Sequence, residues 1–151
     1  MSNKASLLFD GSTLKWEEDG EVVKEWPAMS GNKKYQSRKY TSEKDVGPIP
    51  EGKWYVRKGR RESADLLDDA MGVLGRGRWP GGRSSWGSDR IWLEPDSETD
   101  TKGRTDLSIH GGSSFGSKGC IDLSDGMSSF VNYFDAYDDD MDLMVEYSDW
   151  F

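Results

Sequence analysis

Alternating apolar and polar positions dominate the first part of the chain. Ala5–Phe9 is an apolar run, and apolar and charged residues alternate after it. Asp19-Gly20 is a two-residue signal for a β-hairpin. The pattern predicts three antiparallel strands within residues 5–26. Pro27 should end the last of them, because proline cannot donate to a strand ladder.

The middle of the chain predicts two further strands and a helix. Gly47–Gly52 contains two prolines and predicts a rigid turn that leads into a strand at Lys53–Arg57. Apolar spacing from Glu62 to Leu74 predicts a helix. Arg90–Leu93 predicts a strand that Pro95 stops.

Between that helix and that strand lies a glycine- and serine-rich segment, Gly77–Ser88, with large anchors at Trp79 and Trp86. Long loops of this kind often have a function. A lid over a site and a surface loop fixed by its tryptophans remain equally open interpretations.

The last third of the chain predicts a helix and a closing strand. Asp122 or Ser124 could cap a helix that runs to about Tyr137, and Met141–Tyr147 would be the closing strand. The carboxylates of Asp138–Asp140 lack the spacing of a calcium loop and predict a solvated turn. The apolar face of the helix would be Met127, Phe130, Val131 and Phe134.

Composition narrows the fold class but does not indicate the compartment. The 151 residues fit one domain, 1–151, and the 18 glycines favour tight turns and a mainly β fold. The chain shows no transmembrane run and no apolar signal-peptide core at its N-terminus. With one cysteine it cannot form an internal disulfide, so its cysteine usage does not indicate the compartment.

Charge argues against a nucleic-acid partner. The formal net charge is −8, and the short basic clusters are flanked by acids. A nucleic-acid-binding surface normally requires a dense basic patch. We therefore expect no nucleic-acid binding and no membrane insertion, and we expect a monomer.

One Gly/Ser-rich stretch holds the only histidine and the only cysteine of the chain. It reads Ser-Ile-His-Gly-Gly from Ser108 and Ser-Lys-Gly-Cys-Ile-Asp-Leu from Ser117. An imidazole within hydrogen-bond reach can take the proton of a thiol, and nearby backbone N–H groups can hold an oxyanion. The alternative is a small buried cysteine and a histidine that binds a loop carbonyl. A glycine immediately before Cys120 favours the chemical interpretation.

These residues resemble the catalytic signature of the L,D-transpeptidase cysteine enzymes. Upstream, Gly-Pro-Ile-Pro-Glu-Gly at 47–52 followed by Lys-Trp-Tyr-Val is similar to that family's entry to a central strand. The compact form most closely resembles the L,D-transpeptidase effectors that bacteria deliver through type VI secretion. The resemblance covers roughly Trp26 to the C-terminus. It implies an L,D-transpeptidase-like β-sandwich of mixed sheets with one or two helices packed at the side.

The resemblance also implies roles for individual residues. Cys120 would be the nucleophile and His110 the base, oriented by the backbone carbonyl of Gly111. The N–H groups of Gly119 and Cys120 would hold the oxyanion. Beyond these implied roles, we expect four further residues to shape the substrate site: Gly112, Ser117, Trp86 and Arg90.

Two positions depart from the family's pattern. Lys118 stands where many members have histidine, and Asp122 stands where many have arginine or asparagine. An aspartate cannot hold a substrate carboxylate, so the anchoring cation must lie elsewhere. Arg90 and Arg104 are the candidates.

The implied activity is acyl transfer on tetrapeptide stems of peptidoglycan, with no cofactor and no metal. Hydrolysis, exchange of a D-amino acid and cross-linking remain open. The implied setting is secretion or delivery to the periplasm of a target cell, with an immunity protein as a further partner.

Three alternatives compete with this activity. A papain-like peptidase would place the cysteine before the histidine with a long interval, the opposite of the order found here. A glycan-binding module is compatible with the seven tryptophans but leaves the glycine–cysteine stretch unexplained. A zinc site would need two carboxylate ligands beside one histidine and one cysteine, an uncommon set.

Overall fold

The computed structural model describes residues 4–31, 36–44, 46–63, 89–112 and 119–147. Within these ranges the chain forms nine strands, one α-helix and two short 3₁₀ turns. The strands are β1 Ala5–Phe9, β2 Thr13–Glu18, β3 Glu21–Pro27, β4 Met29–Ser30, β5 Gly52–Ser63, β6 Asp89–Pro95, β7 Ser108–His110, β8 Ile121–Asp122 and β9 Met141–Val145. The helix α1 spans Met127–Ala136, and the 3₁₀ turns span Arg38–Tyr40 and Ser124–Gly126.

The described strands form one mixed sheet in the order β3-β2-β1-β9-β5-β6-β7-β8-β4. Two pairs are parallel, β1 with β9 and β7 with β8, and the other pairs are antiparallel. This mainly β architecture with one α-helix confirms the predicted fold class. The β7–β8 pair holds the predicted histidine, and the predicted cysteine directly precedes β8.

The three N-terminal strands lie where the alternation predicted them. In β1 every second side chain is buried, and in β2 Leu14 and Trp16 are buried. The burial of β3 does not alternate in this way. Trp26 is buried, whereas Val22 and Val23 are about half exposed. The strand β3 is one edge of the sheet that the described strands form, and β2 is its one neighbour there.

The helix α1 packs on these strands through the predicted apolar face, and Met127, Phe130, Val131 and Phe134 are all buried. Its N-cap is Gly126, with no side-chain cap hydrogen bond. The capping prediction was therefore wrong for α1 itself. Asp122 instead accepts the N–H of Ser124, the first residue of the preceding 3₁₀ turn, at 2.8 Å. None of the described helices is long and apolar enough to cross a membrane.

The strand β5 is longer than the sequence predicted. It continues to Ser63, so Glu62 and Ser63 are strand residues rather than the start of a helix. They pair with Arg90 and Asp89 of β6 after a register shift that begins at Val56. Cross-strand pairing overrides local helix propensity here. The rest of the predicted helix 62–74 and the predicted loop 77–88 lie outside the described residues.

Candidate active site

Polar side chains share one face of the three strands β6, β7 and β8. Arg90 is the register partner of His110, and His110 is the register partner of Asp122. Ser108 and Cys120 each lie two residues earlier than His110 and Asp122. Because side chains alternate along a strand, all five lie on the same face.

The opposite face of the same strands belongs to the hydrophobic core. Ile91, Ile109 and Ile121 are register neighbours across β6, β7 and β8, and each is fully buried. This row fixes which face each neighbouring polar side chain occupies, because a one-residue slip would put the isoleucines on the polar side.

His110 is held at its Nδ1 atom. The Nδ1 atom lies 2.6 Å from the carbonyl oxygen of Gly111 and 3.9 Å from Oδ1 of Asp122. Because both oxygens are acceptors, we assign the proton to Nδ1. The Nε2 atom then carries the lone pair, which is the arrangement a general base requires.

Burial sets the charge of His110. The side chain is removed from water, and this desolvation lowers its pKa from 6.5 to about 4. Asp122 and the Gly111 carbonyl raise the pKa in part, and Arg90 lowers it further. The imidazole is therefore neutral at neutral pH and able to accept a proton.

The sulfur of Cys120 is surrounded by hydrogen-bond donors. The backbone N–H of Ser108 lies 3.3 Å from Sγ, and the Ser108 hydroxyl oxygen lies 3.4 Å from it. Nη2 of Arg90 lies 3.9 Å from the same sulfur. Cys120 is 2% exposed, so these contacts occur in a largely desolvated environment.

Gly119 lets the chain approach the buried Arg104. Its φ of +113° disfavours any L side chain, and a Cβ atom there would lie 2.0 Å from Nη2 of Arg104. The guanidinium of Arg104 donates to the carbonyls of Thr41, Gly47 and Pro48 at 2.9–3.2 Å. Arg104 thus holds the predicted rigid turn against the residue that precedes Cys120.

Ser30 completes this support from the other side. Its hydroxyl donates to the carbonyl of Gly119 at 2.9 Å and accepts the N–H of Ile49 at 2.8 Å. The strand β4 and the Gly-Pro-Ile-Pro turn therefore both fix the backbone at Gly119. The sequence alone assigned this turn only to the entry of β5.

The glycines after His110 pack against the 3₁₀ turn that precedes α1. A Cβ atom on Gly111 would lie 2.8 Å from both the Ser124 carbonyl oxygen and Cβ of Met127. The carbonyl of Gly112 accepts the Ser124 hydroxyl at 3.4 Å. Only glycine fits at Gly111, so the carbonyl that orients His110 is held by packing.

Six of the eight predicted site residues lie within the described part of the chain. Arg90 and Cys120 are in contact, and His110 contacts the Gly111 carbonyl. Arg104, a candidate substrate anchor, has its guanidinium bound to backbone carbonyls. Ser117 and Trp86, as well as Lys118, lie outside the described residues. The roles of a Cys120–His110 dyad and of an oxyanion site at Gly119 and Cys120 remain predictions.

Two residues of this face were not singled out for these contacts. Ser108 contacts the sulfur, and Asp122 lies beside the imidazole. Ser108 lies two residues before the predicted His110, and Asp122 lies two residues after the predicted Cys120. The period-two alternation around those residues would have indicated both.

The sequence matches a known protein family over most of its length. The family model described as the Tlde1 domain matches residues 24–146. No curated protein matches the sequence significantly. The matched residues include β4 to β9, α1 and all five residues of the polar face.

Solved structures with a similar fold include three bacterial proteins. The chain is 14% identical to Bdellovibrio bacteriovorus Bd1075, with a TM-score of 0.58 over 94% of this chain and 47% of that chain. It is 17% identical to an L,D-transpeptidase from Xylanimonas cellulosilytica, with a TM-score of 0.53 over 96% and 61%. It is 16% identical to L,D-transpeptidase 1 of Mycobacterium tuberculosis, with a TM-score of 0.51 over 97% and 63%. The chain thus spans about half to two thirds of these proteins and has the L,D-transpeptidase fold.

Proposed function

Because the chain belongs to the Tlde1 domain family, we propose that it is a cysteine acyltransferase that acts on the stem peptides of peptidoglycan. The observation that carries the proposal is the shared face of β7 and β8. His110, neutral at neutral pH, is the register partner of Asp122, and the buried thiol of Cys120 lies two residues before Asp122. The L,D-transpeptidase fold supports the choice of substrate class.

The first half of the reaction forms a thioester. The Cys120 thiol gives its proton to Nε2 of His110, and the sulfur attacks the carbonyl carbon of the third stem residue. The C=O π electrons move to oxygen, and the backbone N–H groups of Gly119 and Cys120 hold the resulting oxyanion. When the intermediate collapses, the C–N bond breaks and His110 gives its proton to the departing amine of D-alanine.

The second half of the reaction depends on the acceptor. Water attacks the thioester in carboxypeptidase action, whereas an amine attacks it in transpeptidation or D-amino-acid exchange. In each case His110 takes the proton of the acceptor, and the sulfur leaves as the thiolate. Asp122 and the Gly111 carbonyl keep Nδ1 protonated and favour the imidazolium that forms in both halves.

Three of the four described tryptophans do not favour the alternative of a glycan-binding module. Trp16, Trp26 and Trp54 are 2–3% exposed and belong to the core. Trp26 donates its indole N–H to Ser129 of α1 at 3.0 Å, and Trp54 donates to the carbonyl of Pro50 at 3.1 Å. A glycan-stacking surface needs exposed aromatic faces, which these three residues do not supply.

Purified tetrapeptide muropeptides test the proposed activity. We expect the wild type to release D-alanine or to form exchanged or cross-linked products, as measured by mass spectrometry, and Cys120→Ala to form none. Cys120→Ser keeps the shape of the side chain with a poorer nucleophile and serves as the matched control. Wild-type activity in a folded Cys120→Ala protein would remove the nucleophile assignment.

The family further supports delivery of the protein as an antibacterial effector to the periplasm of a target cell, with an immunity protein as its partner. The same two proteins test this setting. Wild-type protein directed to the periplasm of a susceptible bacterium should stop growth, whereas the Cys120→Ala protein should not. Equal growth of both strains, with both proteins present in the periplasm, would contradict it.

A further inference from the structure

We propose that Arg90 and Ser108 stabilise the thiolate form of Cys120, so that two side chains on neighbouring strands hold the charge of the nucleophile. The inference rests on the proposed function, because it assigns both residues to the nucleophile of that reaction. Both are positioning residues, since they act through the sulfur rather than on the substrate.

The direction of the hydrogen bonds favours an anion at the sulfur. Nε of Arg90 donates to the Ser108 hydroxyl oxygen at 2.7 Å. Arginine remains protonated and can only donate, so the Ser108 oxygen is the acceptor of this bond. The serine proton is then directed toward Sγ, 3.4 Å away, and the Ser108 backbone N–H donates to the same sulfur. Hydrogen bonds to an anion are stronger than those to a neutral group.

The burial of Arg90 also favours a negative charge on the sulfur of Cys120. The side chain is 4% exposed, and desolvation lowers the pKa of Arg90. A buried cation needs a compensating negative charge. Nη2 of this guanidinium lies 3.9 Å from Sγ of Cys120, so a thiolate formed there supplies a counter-charge at a direct contact. Glu62 and Asp106 also raise the pKa of Arg90.

Stacking fixes the guanidinium in place. Cζ of Arg90 lies 4.1 Å from the centre of the Trp92 ring, two residues along β6. A planar guanidinium on an aromatic face can aim Nε at Ser108 and Nη2 at the sulfur together. A lysine could supply the charge but not this two-pronged geometry.

In this arrangement Arg90 and His110 have different roles: one supplies a positive charge and the other transfers a proton. Because burial holds the pKa of His110 at about 4, the imidazole is not a resting cation at neutral pH. In the part of the chain that the structure describes, the other charged groups that act on Arg90 and His110 are Asp122 on β8, Glu62 on β5 and Asp106 before β7. Among the described residues, the permanent positive charge beside the sulfur is thus that of Arg90, and His110 is left to move the proton.

Alkylation of the single cysteine by iodoacetamide tests the proposal. The measured quantity is the alkylation rate at about pH 6 divided by that at about pH 9, on either side of the unperturbed thiol value. The ratio cancels differences in access to the buried sulfur. We expect it to fall about tenfold in Arg90→Gln, about threefold in Ser108→Ala and by an intermediate factor in Arg90→Lys.

A matched control separates this local effect from a change in net charge. Arg57→Gln removes the same charge from a half-exposed arginine that pairs with Glu94 on the neighbouring strand, and it should leave the ratio unchanged. The ultraviolet absorbance of the thiolate, taken as the difference from Cys120→Ala, gives a second reading. If Arg90→Gln does not fold, the fall in Ser108→Ala decides the outcome.

An unchanged ratio in folded Arg90→Gln and Ser108→Ala would overturn the proposal. So would a fall in His110→Gln larger than that in Arg90→Gln, because the imidazole would then be the main partner of the thiolate. The iodoacetamide assay measures the reactivity of the sulfur and requires no peptidoglycan. Cleaved muropeptides with an unchanged ratio would refute the Arg90 assignment alone, and a lowered ratio with intact muropeptides would refute the proposed function alone.

Discussion

The burial of His110 makes the stability of the whole protein depend on pH. Its pKa is lowered from 6.5 to about 4 because desolvation disfavours the imidazolium. A lowered histidine pKa means that the unfolded chain binds the proton more readily than the native one. The corresponding stability is complete above about pH 6.5 and is lost as the pH falls toward 4.

This shift predicts a measurable loss of stability in mild acid. Between pH 7 and pH 5, we expect the free energy of unfolding of the wild type to fall by about 2 kcal/mol through His110 alone. His110→Gln cannot titrate in this range and should show a correspondingly shallower fall. Urea unfolding of both proteins at the two pH values gives the difference. Parallel pH profiles would show that His110 is not buried in its neutral form.

At the scale of elements, the turn at Gly47 and Pro48 and the short strands β4 and β8 meet at Gly119. Ser30 donates to the carbonyl of Gly119, and Arg104, which packs against Gly119, donates to the carbonyl of Gly47. The close approach requires a glycine, because a Cβ atom would overlap the Arg104 guanidinium. The position of the residue before Cys120 thus depends on three segments that are distant in sequence.

We therefore expect Gly119→Ala to lower the free energy of unfolding more than the same substitution at another glycine with a positive φ. Gly103 has a φ of +74°, and a Cβ atom there would meet no other atom within 4 Å, so Gly103→Ala brings only backbone strain, about 1 kcal/mol. Gly119→Ala adds the overlap and should lose about 3 kcal/mol of unfolding free energy. Urea denaturation of the two variants compares them. Equal losses would mean that Arg104 moves aside freely.

The sequence predicted the elements better than it predicted their contacts. The N-terminal strands, the apolar face of α1 and the stretch around His110 and Cys120 follow from periodicity and local composition. The extension of β5 to Ser63 does not, because it depends on pairing with β6. The contact of Arg90 with the sulfur depends on the register of strands 18 or more residues apart. Local pattern carries no information on such a register.

At the scale of the molecule, the site and the N-terminal strands belong to one core. The strands β1 and β2 precede the residues that the Tlde1 domain model matches, yet β1 lies between β2 and β9 within the sheet. Trp16 and Trp26 pack edge-on against Phe130 of α1 at 6.3 and 5.2 Å between ring centres. We therefore expect the sheet to unfold as one unit.

Phe9 provides the test of this expectation. It is fully buried, packs edge-on against Tyr147 at 6.0 Å and pairs with Val145 of β9. Phe9→Ala should lower the free energy of unfolding by about 3–5 kcal/mol, a large share of the roughly 5–15 kcal/mol typical of a domain. Val23→Ala, at a half-exposed edge position, should change it by less than about 0.5 kcal/mol.

The course of unfolding in Phe9→Ala distinguishes one core from two. If the sheet is one cooperative unit, tryptophan fluorescence and far-ultraviolet circular dichroism should give coincident urea transitions, shifted together to lower urea. The described tryptophans are spread over β2, β3, β5 and β6, so fluorescence reports on both ends of the sheet. An early fluorescence transition that leaves most of the dichroism intact would mean that β1 to β3 unfold alone. The strands of the candidate site would then be stable without them.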